Sequence, residues 1–281
     1  MTGLRRRVRQ VGVAGDARWI TDELSAEEPL EIRLDGVPLT VTMRTPGADF
    51  DLAAGFLVTE GIIEGAGDIA SMRMCPHQAD AGGGFNVVEV RLVAAGSAAV
   101  GQRNFFMTSS CGVCGKASID AVRTRSRHDV SGDPLVVSPA LLAALPGTLR
   151  GAQKMFARTG GLHAAALFDG GGTLVCVRED VGRHNAFDKV IGWAATQRRL
   201  PLRSHIILAS GRASFELTQK ALMAGIPLLA AVSAPSSLAV QLAEESGMTL
   251  VGFLRGEQMN VYTAQQRVVA VGAGVEEAAA G

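Results

Sequence analysis

Two cysteines in the segment TSSCGVCGKASID, residues 108 to 120, are the side chains of this sequence best suited to covalent chemistry. Cys111 and Cys114 are separated by two residues, and a glycine follows each of them. The chain has only 4 cysteines in 281 residues, which excludes a disulfide framework as the main source of stability. The Cys-x-x-Cys spacing is compatible with a zinc site, a redox dithiol or a nucleophilic thiolate.

Each of these three interpretations requires something different from the surrounding residues. A structural zinc site needs four ligands, and only Cys75 and His77 could complete the set. A redox dithiol is expected at the start of a helix in an early βαβ unit, whereas this pair follows an irregular segment. For a nucleophile, the glycines leave the thiols accessible, and Lys116 would lower the pKa of a neighbouring thiol. Such a thiolate can accept a sulfur atom as a persulfide. The spacing alone does not select among the three.

The elements that would position a ligand are clearest after residue 159. Apolar runs on either side of DGGG, residues 169 to 172, predict a hairpin, and GRHNAFDKVIGWAATQ, residues 182 to 197, predicts an amphipathic helix. Strands and helices then alternate, giving the order β-β-α-β-α-β-α-β. This order predicts a sheet with parallel strands joined by crossover helices, with helices on its faces.

Three segments of this region are predicted to lie where a strand ends and a helix begins. They are REDVGRHN (178–185), SGRASFE (210–216) and SAPSS (233–237). Free backbone N–H groups and the helix dipole favour an anion at such junctions, and arginine suits a phosphate. The candidate phosphate-binding residues are Arg183, His184, Ser210, Gly211, Arg212 and Ser233, with Asp180 and Ser236 beside them. The alternative is that the serines and the aspartate only cap helices.

Two further residues favour a structural interpretation. His163 opens an apolar strand, where a single histidine is usually a hydrogen-bonded structural group. Cys176 lies within another predicted strand and is interpreted as a small buried hydrophobic residue.

The N-terminal half gives a less regular pattern. A hairpin is predicted over residues 28 to 43, and a helix follows with Thr45 as its N-cap and Pro46 at its first position. A strand is predicted over residues 85 to 93. A short helix should open at Ser138, break at Pro146, and be followed by another that runs to about Arg158.

The overall composition excludes several classes of protein. The formal net charge is zero, so nothing in the balance of charges favours binding to nucleic acid or to an anionic membrane. The basic segment MTGLRRRVRQ is not followed by an apolar stretch, and the most apolar region is interrupted by Pro227. We therefore expect neither a secretory signal nor a membrane span, and a cytoplasmic location with reduced thiols.

Several motifs together resemble the formate dehydrogenase accessory sulfurtransferases, the FdhD/NarQ family. They occur in family order from about residue 28 to 265, and the most specific is REDVGRHNAFDK. The others are TPGADFDLAAGFLVTEGII, CGVCG, TGGLHAAAL, SGRASFE, SAPSSLAVQLA and GFLRGEQMNVYT. The resemblance implies a cytidine deaminase-like three-layer fold of the mixed α/β class, with a smaller N-terminal β-rich lobe. It also implies a homodimer.

The resemblance further implies a sulfur carrier. Members accept sulfur from a cysteine desulfurase and transfer it to the molybdenum (or tungsten) bis-guanine-dinucleotide cofactor before its insertion into apo-formate dehydrogenase. Cys111 would then bear the persulfide and Cys114 would assist, with no permanently bound metal. The family's cofactor-binding stretch falls on Phe253, Leu254, Arg255, Gly256, Glu257 and Gln258.

A deaminase-type zinc site is excluded by the order of the motifs. Zinc deaminases place His-x-Glu before Pro-Cys-x-x-Cys. Here no glutamate stands two residues after His163, and the Cys-x-x-Cys precedes that histidine. The alternative function is a non-catalytic chaperone that binds the cofactor and the apo-enzyme and uses its cysteines to sense zinc or redox state.

These observations predict five parts of the chain. They are a basic flexible arm (1–27), an N-terminal β-rich lobe (28–107), a mobile Cys-x-x-Cys loop with a linker (108–134), a C-terminal deaminase-like domain (135–268) and a flexible tail (269–281).

Overall fold

A computed structural model describes residues 3–75, 86–93 and 126–269 of the chain. His77 and the predicted Cys-x-x-Cys loop, with Cys111 and Cys114, lie outside the described residues. The N-terminal elements are β1 (Gly3–Val11), β2 (Ala17–Ser25), β3 (Glu28–Leu34), β4 (Val37–Arg44), α1 (Asp49–Thr59), β5 (Ile69–Cys75) and β6 (Val87–Leu92). The C-terminal elements are α2 (Pro139–Ala152), α3 (Lys154–Thr159), β7 (His163–Asp169), β8 (Leu174–Asp180), α4 (Arg183–Thr196), β9 (His205–Ala209), α5 (Phe215–Met223), β10 (Leu228–Ala231), α6 (Ser237–Glu245), β11 (Thr249–Arg255) and β12 (Gln258–Thr263).

The C-terminal strands form one six-stranded mixed sheet in the order β12-β11-β10-β9-β7-β8. Strands β9, β10 and β11 are parallel, while β7 is antiparallel to both β8 and β9. Strand β8 therefore runs in the same direction as β9, β10 and β11, and all four end at one edge, which we call the C-terminal edge. The predicted strands and crossover helices are confirmed. Strand β12, antiparallel to β11, was not predicted.

Helices cover both faces of this sheet because successive strand residues point to opposite sides. On β9, Ile206 and Leu208 enter one core with Leu145 of α2, whereas Ile207 enters a second core with Phe187 of α4. That second core continues into β3 and β6 of the four-stranded sheet β4-β3-β6-β5. The prediction of a three-layer mixed α+β fold with an N-terminal β-rich part is confirmed.

Helices α1 and α4 approach each other more closely than side chains would allow. A Cβ atom at Gly55 would lie 1.8 Å from the carbonyl oxygen of Asp188, and one at Gly192 would lie 1.8 Å from that of Asp51. Glycine at both positions therefore permits direct contact between the two helix backbones. This contact brings α1 of the N-terminal part against the large sheet.

Residues 3–25 form a two-stranded antiparallel hairpin, so the prediction of a flexible arm over residues 1–27 is wrong for this segment. Cross-strand side-chain pairs stabilise the hairpin, because Arg5 faces Glu23 and Val8 faces Ile20. The end of the hairpin is attached to α3, where the Ser25 hydroxyl donates to that of Thr159 at 2.7 Å. These cross-strand matches between β1 and β2 were not recognised in the sequence because the arginines were counted only as charge.

Two predicted helix boundaries are wrong for physical reasons. Helix α1 begins at Asp49 after a left-handed Ala48, because the Thr45 hydroxyl accepts a hydrogen bond from the Val181 N–H at 3.1 Å and does not cap the helix. Pro146 lies inside α2, which continues because its leucines, including Leu149, are buried against the sheet. The predicted cap at Ser138 is confirmed, with its hydroxyl accepting from the Leu141 N–H. In the described part of the chain, no helix is long and apolar enough to cross a bilayer.

The fully buried carboxylate of Asp180 links the six-stranded sheet to the four-stranded sheet. One carboxylate oxygen accepts from Lys189 Nζ at 2.6 Å and from the Thr45 N–H at 3.1 Å. The other accepts from the Gly182 N–H at 2.8 Å and from the Asn185 side-chain amide at 3.2 Å. Lys189 also donates to the carbonyl oxygen of Thr45, just after β4, and the Asn185 amide donates to that of Met43, within β4. We call this network the Asp180 clamp.

A second buried ion pair lies further along α4. Lys220 Nζ of α5 donates to both carboxylate oxygens of Asp188, at 2.8 and 2.9 Å, and to the Thr59 hydroxyl of α1 at 2.9 Å. Burial raises the pKa of Asp188, and the Lys220 ammonium opposes that rise. This pair therefore joins α1, α4 and α5 in the same core.

Removing the cation from the Asp180 clamp should destabilise the protein strongly. Lys189→Met leaves a fully buried carboxylate without its counter-ion, which costs about 3 to 5 kcal/mol in comparable buried pairs. The free energy of unfolding from urea denaturation measures the loss. Arg33→Met, which removes a partly exposed pair with Glu31, is the control and should cost far less. Equal losses in the two variants would contradict the structural role of the clamp.

Candidate functional site

The predicted junction segments meet at the C-terminal edge. The Ser233 N–H donates to the carbonyl oxygen of Gly211 at 3.2 Å, and the Phe253 N–H donates to that of Ser233 at 3.1 Å. The loops after β9 and β10 and the end of β11 are therefore directly hydrogen-bonded to one another. Arg183 and His184 open α4 beside them, after β8. The structure thus brings the predicted residues to one edge, while their contact with a ligand stays a prediction.

Helices α4 and α5 begin at this edge without a side-chain cap. Gly182 precedes α4 and offers no side chain, and the hydroxyl of Ser214, at the N-cap of α5, forms no hydrogen bond with the helix. Ser236, by contrast, caps α6 by accepting from the Ala239 N–H at 3.2 Å, so the capping interpretation holds for that serine. The first-turn N–H groups of α4 and α5 are available to an anion.

Several buried polar atoms at the starts of α4 and α5 have no hydrogen-bond partner in the described part of the chain. They are Arg183 Nε, His184 Nε2 and Ser214 Oγ. Buried polar atoms are nearly always paired in folded proteins, by protein groups, water or a ligand. Their concentration at two adjacent helix starts distinguishes this edge from the rest of the fold.

His184 is held in the neutral form. Burial lowers its pKa to about 3, and the positive charges of Lys220 and Arg183 and the neighbouring His163 add to this effect. Its Nε2 lies 3.9 Å from the nearest carboxylate oxygen of Glu216, beyond hydrogen-bond distance. A neutral imidazole can offer a donor or an acceptor to a ligand at physiological pH.

His163 lies beside the loop after β9. Its side chain is half-buried and forms no hydrogen bond with another described residue, and its structural interpretation stays a prediction. Burial lowers its pKa, Arg183 lowers it further, and Asp180 opposes the change. A Cβ atom at Gly211 would lie 3.5 Å from its Nδ1, which places His163 next to the loop after β9.

The stretch from Phe253 to Gln258 covers the end of β11 and the turn into β12. Leu254 is fully buried in the core with α2, so its side chain is excluded from contact with a ligand. Arg255, Glu257 and Gln258 are exposed, and Gly256 adopts a left-handed φ of 60° that suits glycine. Arg212, on the loop after β9, is also exposed. The two arginines are free to reach an anion from solvent.

A cleft with a volume of about 570 Å³ opens beside this edge, between the strand ends and helices α2 and α3. On the sheet side, the cleft is lined by Ser210, His163 and Val181. Arg150 and Phe156 line it from the helices and Gln153 from the junction between them, and no motif or periodicity in the sequence indicates these three residues. We call it the α2–α3 cleft.

The helical wall of the cleft is fixed by a contact that no sequence pattern indicates. The Glu179 carboxylate at the end of β8 accepts hydrogen bonds from the N–H groups of Met155, at 2.9 Å, and Phe156, at 2.7 Å. A carboxylate here also interacts favourably with the positive end of the α3 dipole.

The other two cysteines of the chain differ in their surroundings. Cys176 is buried as predicted, and burial raises its pKa to about 11. Cys75, at the end of β5, is half-buried and reduced. The zinc hypothesis stays untested, because His77, Cys111 and Cys114 lie outside the described residues.

The fold and this edge define a three-layer α+β protein with a candidate ligand site where strands end and helices begin. A crystal structure from Desulfotalea psychrophila, described as a "putative formate dehydrogenase accessory protein", has the same fold. Its TM-score is 0.75 at 23% identity, over 96% of this chain and 100% of that one.

Sequence comparison assigns the family. Residues 25–269 match the model of the FdhD/NarQ family. A relative from Mycolicibacterium paratuberculosis named sulfur carrier protein FdhD is 60% identical over 94% of this chain and 98% of its own length. One of the same name from Streptomyces avermitilis is 59% identical over 88% of this chain and 89% of its own length. The chain belongs to the FdhD/NarQ family.

The neutral His184 predicts a loss of stability in acid. Its pKa is about 3 in the folded chain and about 6.5 when unfolded, so the unfolded state gains a proton first as the pH falls. The free energy of unfolding is therefore unaffected by this histidine above pH 6.5 and decreases as the pH falls toward 3. At pH 5 the decrease is about 2 kcal/mol.

His184→Gln removes this titration. The variant should lose less stability between pH 7 and pH 5 than the parent, measured by urea unfolding at each pH. An identical pH dependence in both proteins would show that His184 titrates normally in the folded chain.

Proposed function

We propose that this protein is a sulfur carrier in the maturation of formate dehydrogenase. It accepts sulfur from a cysteine desulfurase as a persulfide on Cys111 and delivers it to the molybdenum bis-guanine-dinucleotide cofactor. A sulfur carrier of the same family, 60% identical over 94% of this chain, supports the carrier role. The structural observation that supports an acceptor site is the C-terminal edge, with its uncapped helices and unpaired buried polar atoms.

The first half of the reaction is a transfer between two thiols. The Cys111 thiolate attacks the outer sulfur of the desulfurase persulfide, a new S–S bond forms at Cys111, and the bond to the desulfurase cysteine breaks. The desulfurase departs as a thiolate, so no external oxidant or reductant is needed. On delivery, the acceptor would donate an electron pair to the outer sulfur of the Cys111 persulfide; a bond from the acceptor to that sulfur would form as the S–S bond breaks, and Cys111 would return to the thiolate, with Cys114 assisting.

The second half requires the acceptor to be held near the edge. Its phosphates match the N–H groups at the starts of α4 and α5 and the guanidinium groups of Arg212 and Arg255. Arg183 and the neutral His184 add donors beside those helix starts. The backbone of the Phe253–Gln258 stretch would contact the guanine end. In this proposal the protein acts as a cytoplasmic homodimer and transfers the cofactor to apo-formate dehydrogenase.

Replacing Cys111 tests the carrier role in cells. In a strain that lacks its own copy of this gene, Cys111→Ala should abolish formate dehydrogenase activity, because no persulfide can form at that position. Cys176→Ala is the matched control, since the Cys176 thiol is buried and its pKa is raised to about 11, and it should restore activity.

Immunoblotting would establish equal amounts of the two variants. Full activity with Cys111→Ala would overturn the proposal. If the purified parent protein held stoichiometric zinc and formed no persulfide, the Cys-x-x-Cys would instead be a metal site and the protein a cofactor chaperone.

A further inference from the structure

The hairpin formed by β1 and β2 stands apart from the rest of the fold. Its two strands form a sheet of their own and pair with no third strand in the described part of the chain. Its base is attached to α3, where the Ser25 hydroxyl bonds to Thr159 and the Glu23 carboxylate pairs with Arg158. A two-stranded sheet is only marginally stable in water unless it packs against another surface. The hairpin beyond this base therefore has a face available to a partner.

One face of the hairpin concentrates positive charge. Side chains alternate between the two faces of a strand, so Arg5, Arg7 and Arg9 of β1 lie on the same face, and all three are exposed. Within β1 and β2, the carboxylate on that face is Glu23, which is already paired with α3. The three arginines therefore keep their positive charge uncompensated by the hairpin itself. We call this face, which includes Trp19, the arginine face.

The tryptophan of the arginine face is largely exposed. Trp19 is 60% exposed, lies opposite Arg9 in the register and has the Arg7 guanidinium 4.9 Å from the centroid of its ring. This cation–π contact holds the ring and the guanidinium together. Arginines alone could serve to keep an edge strand from aggregating, but an exposed indole has the opposite effect. Tryptophan and arginine together are enriched where protein interfaces bind most strongly.

The position of the hairpin indicates which step a bound partner would take part in. A Cβ atom at Gly161 would lie 3.1 Å from Ser25 Oγ, and Gly161 lines the α2–α3 cleft. The base of the hairpin is therefore adjacent to this cleft, which opens beside the C-terminal edge. In the proposed function the cofactor is held at that edge and leaves it for apo-formate dehydrogenase. A protein bound to the hairpin would lie next to the place from which the cofactor leaves.

The distribution of charge favours a protein partner over nucleic acid or a membrane. The whole chain has no net charge, and the opposite face of the hairpin pairs Arg6 with Asp22 and Leu4 with Leu24. The excess of positive charge is therefore confined mainly to one face. Binding to a nucleic acid depends on neutralising many phosphates, and the arginine face is too small for that. A protein surface with a few carboxylates around one apolar pocket matches three arginines and one tryptophan.

We propose that the arginine face docks apo-formate dehydrogenase through an acidic patch on that enzyme. The inference rests on the proposed function, which makes this enzyme the recipient of the cofactor. The guanidinium groups of Arg5, Arg7 and Arg9 pair with carboxylates of the enzyme, and Trp19 fills an apolar pocket between them. The family model begins at residue 25, so the arginine face is not among the features that define the family.

Binding of purified apo-formate dehydrogenase to the full-length protein, measured by biolayer interferometry, tests the inference. Arg7→Gln combined with Arg9→Gln removes two charges and should weaken binding about tenfold or more. Arg7→Lys combined with Arg9→Lys keeps both charges and should bind more tightly than the glutamine pair. This comparison separates the loss of charge from a loss of the hairpin's fold.

The matched control is Arg198→Gln combined with Arg203→Gln. These two arginines are exposed and lie between α4 and the start of β9, at the opposite end of the sheet from the C-terminal edge. The control should bind like the parent protein. Raising the salt concentration should weaken the parent more than the Arg7/Arg9 glutamine pair, because salt screens the contacts between exposed charges.

Three results would overturn the docking surface: the parent does not bind apo-formate dehydrogenase, the Arg7/Arg9 glutamine pair binds as tightly as the parent, or the glutamine and lysine pairs are weakened equally. The glutamine pair could instead lose affinity for duplex DNA, phosphatidylserine vesicles, the cysteine desulfurase or a second copy of the chain, with binding of the dehydrogenase unchanged. That result would also overturn the proposal, because it assigns the arginine face to another partner.

Persulfide formation on Cys111 is a separate readout. If it persists in the parent while apo-formate dehydrogenase fails to bind, the docking surface falls and the carrier function stands. If no persulfide forms while binding that depends on Arg7 and Arg9 is found, the carrier chemistry falls and the docking surface stands.

Discussion

The buried Asp180 carboxylate is the interaction on which the arrangement of this molecule depends. A charge removed from water must find a donor for each oxygen, and Asp180 finds four: Lys189, Asn185 and the N–H groups of Thr45 and Gly182. These donors belong to the segment after β4, to the residue before α4 and to α4 itself. Satisfying one carboxylate therefore fixes the register of α4 against the N-terminal part. That register places Arg183 and His184 at the C-terminal edge.

The motif REDVGRHNAFDK, residues 178–189, is largely a structural device that surrounds the candidate site. Arg178 pairs with Asp51 of α1 at 2.7 Å, Glu179 holds α3, and Asp188 pairs with Lys220 of α5. Together with the Asp180 clamp, these contacts attach the end of β8 and α4 to three other helices and to β4. Arg183 and His184 are the members of the motif that keep buried atoms without partners among the described residues. A motif that identifies a family thus need not consist of residues that touch a ligand.

The sequence predicts those parts of the fold that local patterns determine. The β3–β4 hairpin, the alternation of strands and helices after residue 159 and the junctions at the C-terminal edge all follow from neighbouring residues. The N-terminal hairpin was missed because its arginines were counted as charge. Pro146 does not end α2, because tertiary burial of the α2 leucines outweighs the missing N–H.

The α2–α3 cleft could not be predicted in the same way. Gln153, Arg150 and Phe156 reach the strand ends only because Glu179, more than twenty residues away, holds the start of α3. His163 was judged from its place in an apolar strand, yet the neighbouring strand ends leave its ring facing the cleft. Contacts between residues distant in sequence carry no periodicity, and so the helical wall of the cleft is visible only in the folded chain.

The central claim is that Cys111 carries sulfur, and mass spectrometry of the intact protein tests it most directly. The protein would be incubated with a cysteine desulfurase, its pyridoxal cofactor and cysteine. The account predicts a mass gain of about one sulfur atom that is lost on reduction and is absent from Cys111→Ala. No gain in the parent protein, or the same gain in Cys111→Ala, would contradict it.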